Sequence, residues 1–242
     1  MTDRVEQEPG YVLHRRNYRE TSLMVDLFTL NHGRLTVISR GANSPKSPLK
    51  AQLQPFQPML LSWQGRSDLK TLTSAESRLG PNLSRTERLY CGLYLNELLQ
   101  RLLPPQEPHQ TLFAQYIETL DELASAHEFE PTLRRFEARL VEALGYGFDW
   151  GMATDSGRAV LSGQHYYYDP EQGVVETSSP NSLLQGLRGD VLLGLSDQRL
   201  DTPDARRTAK RVMRVLIDHL LQGRELHSRA LFTRWRGDKD ET

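Results

Sequence analysis

Along the first eighty positions hydrophobic and polar residues alternate with the two-residue period of strands. Tyr11-Val12-Leu13-His14 opens a short run. From Ser22 to Leu30, Leu23, Val25 and Leu27 fall on one face and Met24 and Phe28 on the other. Asn31-His32-Gly33 is a turn signal, and Arg34 to Ser39 places Leu35 and Val37 on one face, so the pair reads as a hairpin. Gly41-Ala42-Asn43-Ser44-Pro45-Lys46-Ser47-Pro48 reads as a loop, because two prolines and a glycine forbid a regular element. Phe56 to Trp63 is a fourth run, its start pushed to an edge or bend by Pro55 and Pro58. Gly65-Arg66-Ser67-Asp68 then turns into a fifth, Leu69 to Ser74. Five short strands with one long basic loop suit a small closed barrel; an SH3-like barrel and an OB-fold both fit, and the strand count favours the OB-fold.

From Pro81 the period becomes helical. Ser84-Arg85-Thr86-Glu87 resembles a capping box, and Leu89, Leu93, Asn96, Leu99 and Leu103 recur at helical spacing until Pro104-Pro105 stops them. A second helix is expected from about Pro108 to Ala126 on the stripe Leu112, Phe113, Tyr116, Ile117 and Leu120. A third is expected from Pro131 to Leu144, ended by Gly145. Short connections make these neighbours in a bundle. Glycines punctuate residues 146–179, which read as a hairpin-like insert. Helical signals return at Ser182 to Leu195 and at Pro203 to Leu221, and a final short helix, His227 to Trp235, precedes a charged tail. The expectation is an α+β chain: a small β-barrel over 1–80, then a mostly α-helical domain over 81–242 with an irregular insert at about 146–179.

Composition narrows the function classes. The 242 residues are 38% hydrophobic and 25% charged, and no run approaches the roughly 20 apolar residues of a membrane span. The polar start Met1-Thr2-Asp3-Arg4-Val5-Glu6 lacks the apolar run of a signal peptide, so a cytoplasmic location is expected. One cysteine, Cys91, excludes an internal disulfide or a cysteine-based zinc site, and its place on an apolar helix face reads as packing. No phosphate-binding loop, dinucleotide fingerprint, serine-hydrolase elbow or zinc-protease motif is present, and the seven histidines share no ligand spacing on one helix. No cofactor or metal is expected. A metal-dependent nuclease using dispersed carboxylates such as Asp149, Asp155 and Asp169, or a protein adaptor without nucleic-acid affinity, stays open on the residues alone.

The net charge of −1 conceals a pattern. Residues 1–80 hold 11 Lys/Arg against 7 Asp/Glu and residues 201–242 hold 10 against 7, whereas residues 81–145 hold 6 against 10 and residues 146–200 hold 3 against 7. Local charge, not the total, sets where a polyanion is attracted. In the strand region Arg15 and Arg16 end the first run, Arg34 and Arg40 flank a strand, Lys46 and Lys50 sit on the proline-rich loop, and Arg66 and Lys70 straddle the last turn. Cations beside rings such as Tyr18 are how single strands are held, the charge following the backbone and the ring stacking on bases; Phe28 and Trp63 read as core. Arg207, Lys210, Arg211 and Arg214 share one face of the last long helix, either a docking stripe for phosphate or carboxylate or a solvated face relieved by Asp204 and Asp218. Arg134 and Arg135, beside Leu133 and Phe136, either receive an acidic, hydrophobic peptide or pair with Glu130 or Glu137.

The order Val12-Leu13, Thr21-Ser22-Leu23, Phe28-Thr29, Gly33-Arg34, Arg40-Gly41-Ala42 and Gln54-Pro55-Phe56 resembles the N-terminal half of the bacterial RecO recombination-mediator family. So do Tyr94-Leu95-Asn96-Glu97-Leu98-Leu99, Leu133-Arg134-Arg135-Phe136-Glu137, Leu144-Gly145-Tyr146-Gly147 and the closing Ser228-Arg229-Ala230-Leu231-Phe232. The resemblance spans essentially the whole chain. It implies an N-terminal OB-fold and a C-terminal, mostly helical domain. It also implies binding of single- and double-stranded DNA, annealing of complementary strands, and recognition of the acidic C-terminal tail of single-stranded-DNA-binding protein (SSB). With the partner RecR, such proteins help load RecA onto SSB-coated strands. Many members carry a four-cysteine zinc site after the Leu-Gly-Tyr-Gly motif; residues 148–179 contain no cysteine, so this chain resembles the zinc-free branch. By position, Arg15, Arg16, Arg34, Arg40, Lys46, Lys50, Arg66, Lys70, Arg207 and Lys210 are the DNA candidates, and Arg134, Arg135, Arg211 and Arg214 the candidates for the SSB tail. No membrane partner is implied.

Overall fold

Five N-terminal strands, β1 (Arg4–Tyr18), β2 (Ser22–Thr29), β3 (Gly33–Ser39), β4 (Met59–Gln64) and β5 (Lys70–Ser77), hydrogen-bond in the order β1-β2-β3-β5-β4 and close into a barrel. The computed structural model describes residues 4–232. β1 is much longer than the apolar run Tyr11–His14, because a strand needs a partner ladder more than it needs apolar side chains. Its first half pairs with β4 (Arg4↔Gln64 to Gly10↔Met59) and its second half with β2 (Gly10↔Thr29 to Tyr18↔Ser22). β3 and β5 run parallel, joined at Val37↔Lys70 and Ile38↔Thr71, and this pairing closes the sheet. Val12, Val25, Leu27, Leu35, Val37, Leu61 and Trp63 fill the interior, each fully buried aliphatic contributing roughly 1.5–3 kcal/mol. The proline-rich loop forms turns and then one short helix, α1 (Pro48–Gln52).

The outer face of β1–β2–β3 is partly covered by α2 (Thr86–Leu102) and α3 (Gln110–Ser125). Tyr11 and Phe28 stand on that face and meet Phe113 and Tyr116 of α3 at ring-centroid distances of 5.2–6.0 Å. Asn96 of α2 donates to the carbonyls of Val12 (3.3 Å) and Leu13 (3.0 Å) and accepts from the Tyr116 hydroxyl (2.6 Å). Gly33 is required at its turn: its φ is +62°, and a Cβ there would lie 1.9 Å from the Glu107 carbonyl oxygen. By packing, the chain forms two compact units. One unit takes the chain up to His127 and again from Leu226; the other is Glu128–Glu225.

The second unit is built on α4 (Glu130–Ala143) and α6 (Pro203–Leu221), which pack on each other. Gly145, at φ +81°, ends α4: its N–H bonds to the Glu142 carbonyl (2.9 Å) and that of Tyr146 to Val141 (2.8 Å), the paired bonds of a Schellman stop. The insert forms a two-stranded ribbon, β6 (Met152–Ala153) with β7 (Arg158–Ala159), and a three-stranded sheet in the order β10-β8-β9, with β8 (His165–Asp169), β9 (Gly173–Val175) and β10 (Leu184–Arg188).

Two expectations are corrected. The stretch Ser182 to Leu195 is not one helix: β10 occupies its first half and only Gly189–Ser196 is helical, as α5. Leu184 and Leu187 pair with Tyr168 and Tyr166 of β8, and Gly186 takes φ +72°, so a tertiary ladder overrides a locally helical spacing. The Ser84 capping box does not form; Arg85 is the N-cap of α2 without a side-chain cap bond, and the Ser84 N–H is held by Asn82 Oδ1 (2.9 Å). A helical turn begins at His227 as expected, but Thr233 to Trp235 and the charged tail lie outside the described residues.

Candidate nucleic-acid interface

Two segments gather cations at one end of the barrel. The β1–β2 hairpin ends in Arg15-Arg16-Asn17-Tyr18-Arg19-Glu20-Thr21, and β3 runs into Arg40, the loop carrying Lys46, and α1 carrying Lys50. The segments are stitched together: the Asn43 N–H donates to the Thr21 carbonyl (2.8 Å), and the Arg15 guanidinium donates to the carbonyls of Lys50 (2.6 Å) and Leu53 (3.0 Å) and to Gln54 Oε1 (3.2 Å). Across residues 15–21 and 40–54 there are six Lys/Arg and one acid, Glu20. Arg16, Arg19, Arg40, Lys46 and Lys50 are exposed, so the end is electropositive.

The candidates therefore separate. Arg15 is half-buried and organises the loop. Arg34 is half-buried under α2, its Nε donating to the Leu103 carbonyl (2.8 Å), which spends its hydrogen-bonding geometry inside the fold. Lys70 turns back on the Gly65 carbonyl (3.1 Å), while Arg66 is exposed on the same turn. Arg19 went unnoticed in the sequence, although the run from Arg15 to Arg19 holds three cations and a ring in five positions.

Beside this end lies a buried polar row. Asp26 accepts from Thr36 (2.6 Å) and Gln100 (2.7 Å) and sits 3.7 Å from His14. Burial alone would raise its carboxyl, but His14, Thr36 and Gln100, with the nearby Arg16 charge, hold it below the usual carboxylate range. Through Gln100 the row ties α2 to the sheet.

In the second unit α6 turns Val212, Met213, Leu216 and Ile217 inward and Arg207, Lys210, Arg211 and Arg214 to solvent. Acids meet most of the stripe: Asp204 pairs with Arg207, Glu130 with Lys210 (2.9 Å) and Asp218 with Arg214 (3.9 Å). Arg211 is exposed between them. On α4, Arg134 is buried and meets Glu137, itself 0% exposed, at 2.8 Å; Arg135 is half-buried and reaches Thr132 Oγ1 (3.3 Å). Of the two accounts left open for Arg134, the structure shows the ion pair with Glu137.

The insert offers no thiolate set, so the residues present do not fit a four-cysteine zinc site. Side-chain caps tie it instead: Asp155 accepts from the N–H of Glu176 (3.0 Å) and Thr177 (2.9 Å), and buried Asp169 accepts from the Glu171 N–H (2.9 Å) and the Ser179 hydroxyl (3.2 Å). Among the described residues no three His, Cys, Asp or Glu side chains gather as a metal site, and no helix is long and apolar enough to cross a membrane.

The barrel part and the helical part that follows it each match a family model. Residues 1–79 match the model described as "Recombination protein O N terminal" and residues 83–230 the one described as "Recombination protein O C terminal". Among relatives called DNA repair protein RecO, that of Marinobacter nauticus is 56% identical over 236 residues, covering 96% of either chain. That of Methylococcus capsulatus is 46% identical over 230 residues, covering 95% of this chain and 93% of the relative. That of Haemophilus influenzae is 42% identical over 228 residues, covering 94% and 96%. The chain belongs to the RecO family, and its role lies in DNA repair and recombination.

Proposed function

We propose that this chain is a recombination mediator and not an enzyme: it binds single- and double-stranded DNA, anneals complementary strands and, with RecR, helps load RecA onto SSB-coated single strands. The supporting observation is the gathering of Arg16, Arg19, Arg40, Lys46 and Lys50 at one end of a five-stranded barrel. The strand order β1-β2-β3-β5-β4 supports reading that barrel as an OB-fold. Annealing follows from charge alone: cations that neutralise two phosphate backbones let complementary bases meet, and pairing supplies the driving force. For the acidic SSB tail, exposed Arg211 and Arg214 on α6 are the proposed contacts, with Arg135 on α4; Arg134 is left out because Glu137 holds it.

The test is a combined Arg40→Glu, Lys46→Glu, Lys50→Glu variant titrated against a fluorescent oligonucleotide over a range of salt. Binding should weaken and lose much of its salt dependence. Wild-type affinity with a wild-type salt slope would remove the barrel end as the DNA interface. Incubation of labelled DNA with magnesium or manganese should leave strand lengths unchanged.

A further inference from the structure

Strand alternation divides the second half of the β1–β2–β3 sheet into two faces. Val25 and Val37 point into the barrel, so their neighbours Met24 and Ile38 point outward, as does Arg16, the register partner of Met24. The same parity places Tyr18 outward at the end of β1 and Arg40 outward just past β3. Past the row of Asp26, where Gln100 ties α2 down, this outer face carries half-buried Met24, Ile38 and Tyr18 ringed by exposed Arg16, Arg19 and Arg40. The Arg19 guanidinium lies over the Tyr18 ring, 5.2 Å from its centroid, and Arg19 takes φ +54° in the β1–β2 turn.

We infer that this end of the sheet, which the described residues leave part-exposed, is a base-stacking platform for single-stranded nucleic acid, with Tyr18 as the stacking ring and Arg16, Arg19 and Arg40 following the phosphates. The inference rests on the DNA-binding reading above and adds strand form to it. A duplex presents a phosphate backbone and keeps its bases stacked on each other, so it makes use of the cations alone. An unpaired base offers a π face that a ring and a guanidinium can hold together, over an apolar floor of Met24 and Ile38. Charge complementarity selects a polyanion, and the ring among the cations selects its unpaired form.

The experiment compares wild type, Tyr18→Ala and Tyr18→Trp by fluorescence anisotropy. The probes are a labelled oligothymidylate, a duplex of the same length and an abasic strand of the same length. Tyr18→Ala should weaken oligothymidylate binding roughly five- to hundredfold while duplex binding changes by less than about twofold. Tyr18→Trp should retain oligothymidylate binding, and the abasic strand should bind wild type and Tyr18→Ala alike. Should Tyr18→Ala not fold, the wild-type preference for oligothymidylate over the abasic strand and the behaviour of Tyr18→Trp decide the matter. Equal loss on strand and duplex, or no loss on either, overturns the platform while leaving DNA binding intact. Wild type that binds none of the probes overturns the function reading itself. A Tyr18-dependent affinity for an acidic peptide without strand preference would assign the surface to a protein partner and overturn the inference.

Discussion

The Glu97 carboxylate, on α2, accepts hydrogen bonds from the backbone N–H of His227 (2.9 Å) and Ser228 (2.8 Å) and from the Ser228 hydroxyl (2.6 Å), across 130 and 131 positions of sequence. Those N–H groups open the helical turn that begins at His227, where a helix has donors without internal acceptors. Glu97 supplies the cap, and its negative charge lies at the positive end of the helix dipole. This contact brings the chain's return from Leu226 back onto the barrel unit. Replacing Glu97 with Ala should cost about 1–3 kcal/mol, read as a lower urea midpoint.

The same carboxylate has a pH signature. Burial would raise the Glu97 pKa, but the bonds from Ser228 and His227, with Arg101 nearby, outweigh it and leave it below the ordinary carboxylate range. A lowered folded value means stability that is full above the ordinary carboxylate pKa and lost as pH falls through the folded one. Wild type should therefore lose more of its urea midpoint than Glu97→Gln between neutral pH and about pH 3. Parallel losses would show that the cap does not depend on charge.

Tyr116 and Asn96 make a third prediction. The Tyr116 hydroxyl is fully buried and donates to Asn96 Oδ1, while Asn96 holds the Val12 and Leu13 carbonyls. Tyr116→Phe leaves a buried acceptor without its donor and should cost roughly 1–3 kcal/mol in denaturant unfolding. The pair is buried between α2, α3 and the sheet and carries no charge, so the salt slope of DNA binding should not move. A changed slope would mean that α3 takes part in strand contact.

Periodicity made much of this fold legible. β2, β3 and α6 follow their hydrophobic patterns to within a residue or two, because each buries one face continuously. The first half of β1 was illegible for the opposite reason: Arg4 to Pro9 is polar, and only the β4 ladder makes it a strand. β10 was misread because its leucines also suit a helix and the deciding partner, β8, lies elsewhere in the chain. At the candidate site the loop cations could be named from position alone. The fate of Arg34 could not, since it depends on the Leu103 carbonyl arriving from a distant helix end. Tyr18 was visible as a ring in a polar stretch; its outward face became readable only once the register with Ser22 was known.

Arg134 illustrates a cation whose work is internal. With Glu137 fully buried 2.8 Å away, Arg134→Met would leave an uncompensated charge in the interior and should cost about 3–5 kcal/mol. Adding Glu137→Gln to that variant should recover part of the loss, as thermal unfolding would reveal. If Arg134→Met unfolds like wild type yet binds an acidic peptide less tightly, the residue is a ligand contact after all.

Arg34 and Arg40 bracket the same strand and should respond in opposite ways. Arg40 is exposed, and no acid pairs with it among the described residues, so neutralising it to Gln removes charge without disturbing packing. If it neutralises one phosphate of a single strand, the slope of log affinity against log salt should fall by about 0.7, with the unfolding midpoint unchanged. Arg34 donates to Leu103, so Arg34→Gln removes a part-buried charged bond to a carbonyl. It should lower stability by about 1.5–3 kcal/mol and leave the slope alone. Salt titrations and urea unfolding of both variants separate electrostatic contact from architecture. A slope change in Arg34→Gln equal to that in Arg40→Gln would place the strand across the whole of β3 and show that the helical cover opens when DNA binds.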